Sequence, residues 1–272
     1  MSQKCFSYYL KTYWLFLKID LKANMEYRGF VIRSALSLIK EIIGIALIWV
    51  ILDKFHAVKG WTIWEVVFLY GLKQLVVAIY AFFFDNAGNL DFKVINGELD
   101  RILIRPLNPL FHLFAEGASL MKGFSSIILG AFFLVIASYK LGLDWTVIDF
   151  LMLLLSVLGG VGVLTGVSLS FSSIAFWTMK SAFILDFIFV FREEFLNYPL
   201  NIYGKGIQFM LSFILPLAFI NYFPSCFILD KTKEVIISPF LVYLSPLVGI
   251  LTMLGAYQIW KFGLKNYAST GT

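Results

Sequence analysis

The chain has 272 residues, of which 60% are hydrophobic, 18% aromatic and only 14% charged, with a mean hydropathy of +0.85 and a formal net charge of +5. That composition excludes a soluble globular domain and describes an integral membrane protein. Several apolar runs reach the ~20 residues a helix needs to cross a hydrocarbon core ~30 Å thick, and they lack the alternation of barrel strands, so the expectation is an all-α polytopic membrane protein, a single transmembrane domain over 1–272.

In chain order, residues 1–29 are too charged to span. Lys4, Lys11, Lys18 and Lys22 fall on one helical face and Phe6, Tyr9, Leu10, Tyr13, Trp14 and Leu17 on another, the pattern of an amphipathic helix lying in the membrane interface and bending at Gly29. No signal peptide is evident. Six spans follow: Phe30 to Leu52, Ile63 to Phe84, Leu120 to Tyr139, Val147 to Phe176, Ala182 to Tyr198, and Pro239 to Phe262. Lys and Arg collect on the side that holds the N-terminus, the 85–117 connection, Lys180 and the C-terminus. By the positive-inside rule, both termini are expected in the cytoplasm. The basic pI of about 9.0 then reflects topology and anionic lipid, not nucleic acid. Cys5 and Cys226 fall on opposite sides in this topology, which leaves no disulfide and no metal cluster with His56 or His112.

Charged residues inside the spans need partners, because an ionised group in hydrocarbon is costly. Arg33, Lys40 and Glu41 form one polar stripe of the first span, and Lys73 sits near the middle of the second. For Lys73 a substrate contact, pairing with a carboxylate and snorkelling to the interface all stay open. The fourth span carries Gly159, Gly160, Gly162 and Gly166 among several serines, so it is expected to lie against another helix at close range. Asp91, Glu98, Asp100, Arg101 and Arg105 cluster in the 85–117 connection, with Pro106 and Pro109 shaping the turn that follows. Asp186 and Arg192-Glu193-Glu194 interrupt the fifth apolar run. Beyond Tyr198, Pro199, Pro216 and Pro224 break any straight helix, which suggests a re-entrant hairpin over 199–225. The rival placement makes Ile207 to Leu229 the fifth span and leaves Ala182 to Tyr198 at the interface.

Two stretches together carry a family resemblance: GELDRILIRPLNPLF, from Gly97 to Phe111, and YPLNIYGKGIQ through ILPLAFINYFPS, from Tyr198 to Ser225. With them the chain resembles the membrane subunits of bacterial ABC-2 type exporters, in particular the ABC-2 permease family formerly listed under a domain of unknown function. The resemblance implies a type V exporter-like fold with six spans, and a permease in the bacterial plasma membrane. That permease would pair with a second permease and with a dimer of ABC ATP-binding subunits. It further implies that the 85–117 connection docks on the ATPase through a coupling helix, with Asp91, Glu98, Asp100, Arg101 and Arg105 as candidates for that contact or for bracing it.

No GxxxxGK[ST] phosphate loop occurs, and the two histidines form no nucleophile constellation. The chain is therefore expected to be no enzyme and to hold no cofactor of its own, ATP and Mg belonging to the partner ATPase. The aromatic content suits hydrophobic or amphipathic cargo such as a drug, peptide or lipid. The alternatives are a secondary carrier, which internal repeats would favour, and a membrane assembly scaffold.

Overall fold

A computed structural model describes residues 6–26, 32, 35–36, 38–39, 42–43, 46, 59–119, 121–178, 182–235 and 238–267. Every regular element among them is helical. Helix α1 is Phe6–Glu26. Helix α2, Ile63–Phe83, starts where the Glu65 carboxylate accepts from the Thr62 amide at 2.7 Å. The connection that follows holds short helices α3, Leu90–Ile95, α4, Glu98–Leu103, and α5, Pro109–Gly117. Then come α6, Phe124–Leu141, and α7, Val147–Ser172, whose first turn is closed by reciprocal bonds between Thr146 and Asp149. One further turn, Ala175–Thr178, extends α7 beyond a break.

Helix α8, Ala182–Phe195, has 14 residues and is only ~21 Å long at 1.5 Å per residue. The expected fifth span to Tyr198 is thus helical only to Phe195, and the chain beyond it is irregular through Pro199, whose ring cannot join a helical ladder. A bent pair follows. Helix α9, Lys205–Phe209, runs on as a π-turn over Met210–Ile214, and after Pro216 a 3-10 turn leads into α10, Tyr222–Ile228. The two arms meet at 77°. Helix α11, Ser245–Asn266, begins six residues later than the sequence pattern suggests, because Pro239–Tyr243 forms a separate 3-10 turn.

Among the described residues four helices are long and apolar enough to cross a membrane, α2, α6, α7 with its extension, and α11, and the bent pair makes up to five. The first predicted span lies mostly outside the described residues, and Arg33, Lys40, Glu41, Cys5 and His56 with it.

Helix α2 is the centre of the bundle: 72% of its apolar window is buried, against 22% for α11 at the edge. Glycines set two close helix pairs. Between α2 and α6, a Cβ on Gly71 would lie 3.1 Å from the Gly130 carbonyl. Between α7 and α11, a Cβ on Gly162 would lie 2.8 Å from the Gly249 carbonyl, and one on Gly249 would collide with Gly159. The small-residue face of α7 lies against another helix at close range, as its spacing predicts, and that helix is the last one of the same chain.

Candidate functional site

The connection between α2 and α6 is a folded unit. Asn86 donates to the Leu113 carbonyl at 3.1 Å, Lys122 pairs with Asp85 at 2.7 Å, and the Ser119 amide donates to the Phe82 carbonyl at 2.9 Å, tying the end of the unit back to its beginning. Gly97 turns the chain between α3 and α4 with φ of 66°, a left-handed value that favours glycine. Asn108 then caps α5 by accepting from Leu110 and Phe111 amides at 3.0 and 3.3 Å, with Pro109 in the first helical position.

Most of the sequence-predicted charges are engaged inside this unit. Buried Lys93 bridges Glu98 at 3.3 Å and Glu116 at 2.9 Å. Burial works against the Glu116 charge, but Lys93 beside it holds the carboxyl below its ordinary value. Asp91 is buried and accepts from the Phe92 amide at 2.8 Å. Glu98 lies 3.7 Å from Arg101. Asp100 sits beside Tyr267 at the end of α11; burial and this carboxylate together raise the Tyr267 phenol. Arg105 Nη1 lies 3.0 Å from His112 Nε2, and since arginine only donates, the ring must carry its proton on Nδ1. Burial first, and Arg105 second, depress the His112 pKa.

Apolar side chains also stand outward on this unit: Phe92, Ile95, Leu103 and Ile104 are exposed, Ile104 at 83%, as are Arg101 and Arg105. Sequence reasoning chose the charges and missed these four, because apolar residues in short helices beside spans read as core. The usable signal was the pair Leu103-Ile104 placed directly before Arg105 and Pro106, in a turn with no helix left to bury them.

Helix α1 lies against this unit. Tyr9 meets Phe111 edge-on at 4.8 Å, Phe16 meets His112 at 5.4 Å, and Tyr13 contacts both Phe83 and Phe111 while its hydroxyl donates to the Phe83 carbonyl at 3.5 Å. Burial pushes the Tyr13 phenol up to about 12. Leu10, Trp14, Leu15 and Ile19 stay exposed. The expected aromatic stripe is thus split: Tyr9, Tyr13 and Leu17 face protein, while Leu10 and Trp14 stay exposed, as does Tyr8.

In the bundle interior, Lys73 donates to Glu193 at 3.0 Å and to Asn197 at 2.7 Å and lies 4.8 Å from the Tyr70 ring centre. Arg192 pairs with the same Glu193. The lysine and the Arg192-Glu193 charges, each costly alone, share one site. Around it the chain can be followed by depth along α2. Phe189 packs on Gly88, just past the end of α2, where a Cβ would lie 3.2 Å from its ring. Asn221, at the turn before α10, donates to the Leu69 carbonyl at 3.4 Å and to the Leu196 carbonyl at 2.7 Å.

At the start of α2 lies a second polar cluster that the sequence did not announce. Lys231 donates to the Gly60 carbonyl at 2.7 Å, pairs with Glu234 at 2.8 Å and Glu65 at 3.3 Å, and stands 5.3 Å from the Trp61 ring centre. Asn201 donates to the Lys59 carbonyl at 3.2 Å. Burial opposes the Lys231 charge, yet the two carboxylates hold its pKa above the ordinary value. Tyr198 is half-buried, Pro199 precedes the 3-10 turn Leu200–Ile202, Pro216 marks the break in the bent pair, and Pro224 lies in the first turn of α10.

A cavity of about 510 Å³ opens between α1, α2, α5, α7 and α11, walled by Tyr13, Phe83, Phe84, Phe111, Phe114 and Met253 among others. Of the comparisons with known proteins, a family model described as ABC-2 family transporter protein matches residues 38–271. No curated protein and no solved structure matches.

Proposed function

Because the chain belongs to the ABC-2 family of transporter proteins, its match covering most of its length, we propose that it is the permease subunit of an ATP-driven exporter in the bacterial plasma membrane. In this reading two permeases, copies or relatives, form the path, a dimer of ABC ATP-binding subunits supplies hydrolysis with its own ATP and Mg, and the cargo is hydrophobic or amphipathic. The observation that carries the coupling half of the proposal is the outward face of the 85–117 unit. Lys93, Glu98 and Glu116 are engaged in internal pairs, while Phe92, Ile95, Leu103 and Ile104 are exposed beside the exposed Arg101 and Arg105. Exposed apolar side chains clustered on a rigid polar unit suit the buried centre of a protein interface, with a charge at its rim. Motion received there passes directly to α2 and α6, which the unit joins, to α11 through Asp100 and Tyr267, and to α1 through Phe111 and His112.

The topology proposed is six spans with both termini in the cytoplasm. Two observations favour the re-entrant placement over a span through 207–229. Asn201, before the bent pair, and Lys231, after it, both bond to residues 59–60 at the start of α2, so the pair begins and ends on one side. Just past its turn, Asn221 bonds to the Leu69 carbonyl, about 9 Å into α2 from Ile63 at the helical rise, and Ile220 packs with Val76 against Gly160. The crossing is then left to 182–203, which runs from Phe189 beside Gly88, past Lys73, to Asn201 beside Lys59.

Copurification tests the coupling reading. With its chromosomal neighbours coexpressed, the tagged chain is expected to bring down an ATPase whose vanadate-sensitive turnover responds to the permease. Ile104→Asp should weaken that association at least ten-fold without lowering thermal stability, since the side chain is exposed, and Arg101→Gln should weaken it too, losing only an exposed pair with Glu98. Absence of any ATPase would remove the exporter assignment.

A further inference from the structure

The geometry points to the outward face of α8 as one wall of a water-filled path that takes a cationic amphiphile, a molecule with an ammonium or guanidinium group on an apolar body. Asp186, Phe187, Val190 and Glu194 follow Phe183 by three, four, seven and eleven residues, so the five share one side of the helix. All five are exposed, and neither carboxylate has an ion-pair or hydrogen-bond partner among the described residues.

Depth sets this face apart from one that meets lipid. Lys73 is the eleventh of the 21 residues of α2 and bonds to Glu193, which puts the next residue, Glu194, level with the middle of that span. Phe189 packs on Gly88, past the end of α2, so Asp186, one turn earlier, lies at the rim. The two carboxylates are separated by about 12 Å of helix at 1.5 Å per residue. An exposed carboxylate at mid-span is costly in hydrocarbon, so lipid does not cover this face.

The sign of the partner follows from how the neighbouring charges are turned. Lys73 keeps only 1% of its side chain exposed, and Arg192, at 13%, pairs with Glu193 and lies 5.2 Å from the Phe189 ring centre. Both cations are thus turned inward, held by Glu193, whose own side chain is 34% exposed, while Glu194 stands outside the cluster. A molecule arriving at this face meets carboxylate oxygen. A cation complements it and is drawn to the phenyl faces, and an apolar body covers Phe183, Phe187 and Val190.

This gives the exported cargo a positive charge and rests on the exporter reading, but the wall is tested without the ATPase. In a background lacking Cys5 and Cys226, Val190→Cys is placed in inside-out membrane vesicles from cells expressing the chain with its chromosomal neighbours. Its modification by a cationic trimethylammonium methanethiosulfonate is compared with that by an anionic sulfonate reagent, each relative to a free thiol. Both should react, the cationic one favoured by about ten-fold. Glu194→Gln should remove that preference, and Glu194→Asp should keep it. Dodecyltrimethylammonium should protect the cysteine, and dodecanol should not. A cysteine silent to both reagents would show that lipid or a protein neighbour covers the face and would overturn the proposal. So would a preference indifferent to Glu194→Gln, or equal protection by dodecanol. Failure of an ATPase to copurify would instead remove the exporter reading and leave the charged wall standing.

Discussion

Lys73 shows how far a single residue can be read from sequence. Its place in the middle of an apolar run demanded a counter-charge, and Arg192-Glu193 demanded one too, but nothing in the order of residues joined positions 120 apart; packing of α8 on the bundle did. Glu193 serves two cations, so Glu193→Gln, which leaves both Lys73 and Arg192 without their carboxylate, is expected to destabilise the protein by on the order of 3 kcal/mol, and Lys73→Met, which leaves Glu193 paired with Arg192, by less, read as midpoints of thermal unfolding in detergent. His112 makes a second residue-scale prediction. Its folded pKa is depressed, so the unfolded chain takes up a proton first as pH falls, and stability present above about pH 6.5 declines below it. Glu116, also depressed, acts in the same direction, but only in the lower carboxylate range. His112→Gln should flatten the loss between pH 7.5 and 5.5, and an unchanged slope would show that another group titrates there. Of the charges named from sequence in this region, Asp91 and Glu98 are engaged within the unit, while Arg105 lies beside His112 and stays exposed.

At the scale of elements, periodicity served where one helix met one partner. The glycines of α7 announced a close neighbour, and α11 supplies it; Gly249→Leu should disrupt the seam at a cost of about 1–3 kcal/mol, since the Gly159 backbone occupies the space and cannot swing aside as a side chain would. Thermal unfolding of the purified variant measures it. Helix α1 was legible as a helix with two faces, but not in which face meets what. Tyr9, Tyr13 and Phe16 pack on Phe83, Phe111 and His112, and amphipathicity alone does not separate a protein neighbour from a lipid one, since both are apolar. Tyr9→Ala with Tyr13→Ala should loosen α1 from the connection, seen as faster hydrogen exchange across α5. Helix α8 was overdrawn by three residues because the apolar pattern outruns the hydrogen-bond ladder, which Pro199 stops.

For the whole molecule, composition alone fixed the class, while the fate of 182–231 turned on long-range contacts that no local pattern contains. Single cysteines at Lys205 and Lys233, in a background lacking Cys5 and Cys226, test the arrangement. Both should react with a membrane-impermeant maleimide added to intact cells, whereas a spanning 207–229 segment would expose only one of them. The distance along the chain between Lys73 and Glu193 also has a consequence in time. A ribosome adding about 5–20 residues per second needs several seconds to cover the 120 residues that separate them. Throughout that interval the second helix waits in the bilayer with an ammonium group that lacks its carboxylate, held only by its apolar remainder. Chains released before Glu193 should accordingly be short-lived substrates of membrane proteases, and Lys73→Met should lengthen the half-life of those fragments even as it weakens the finished protein.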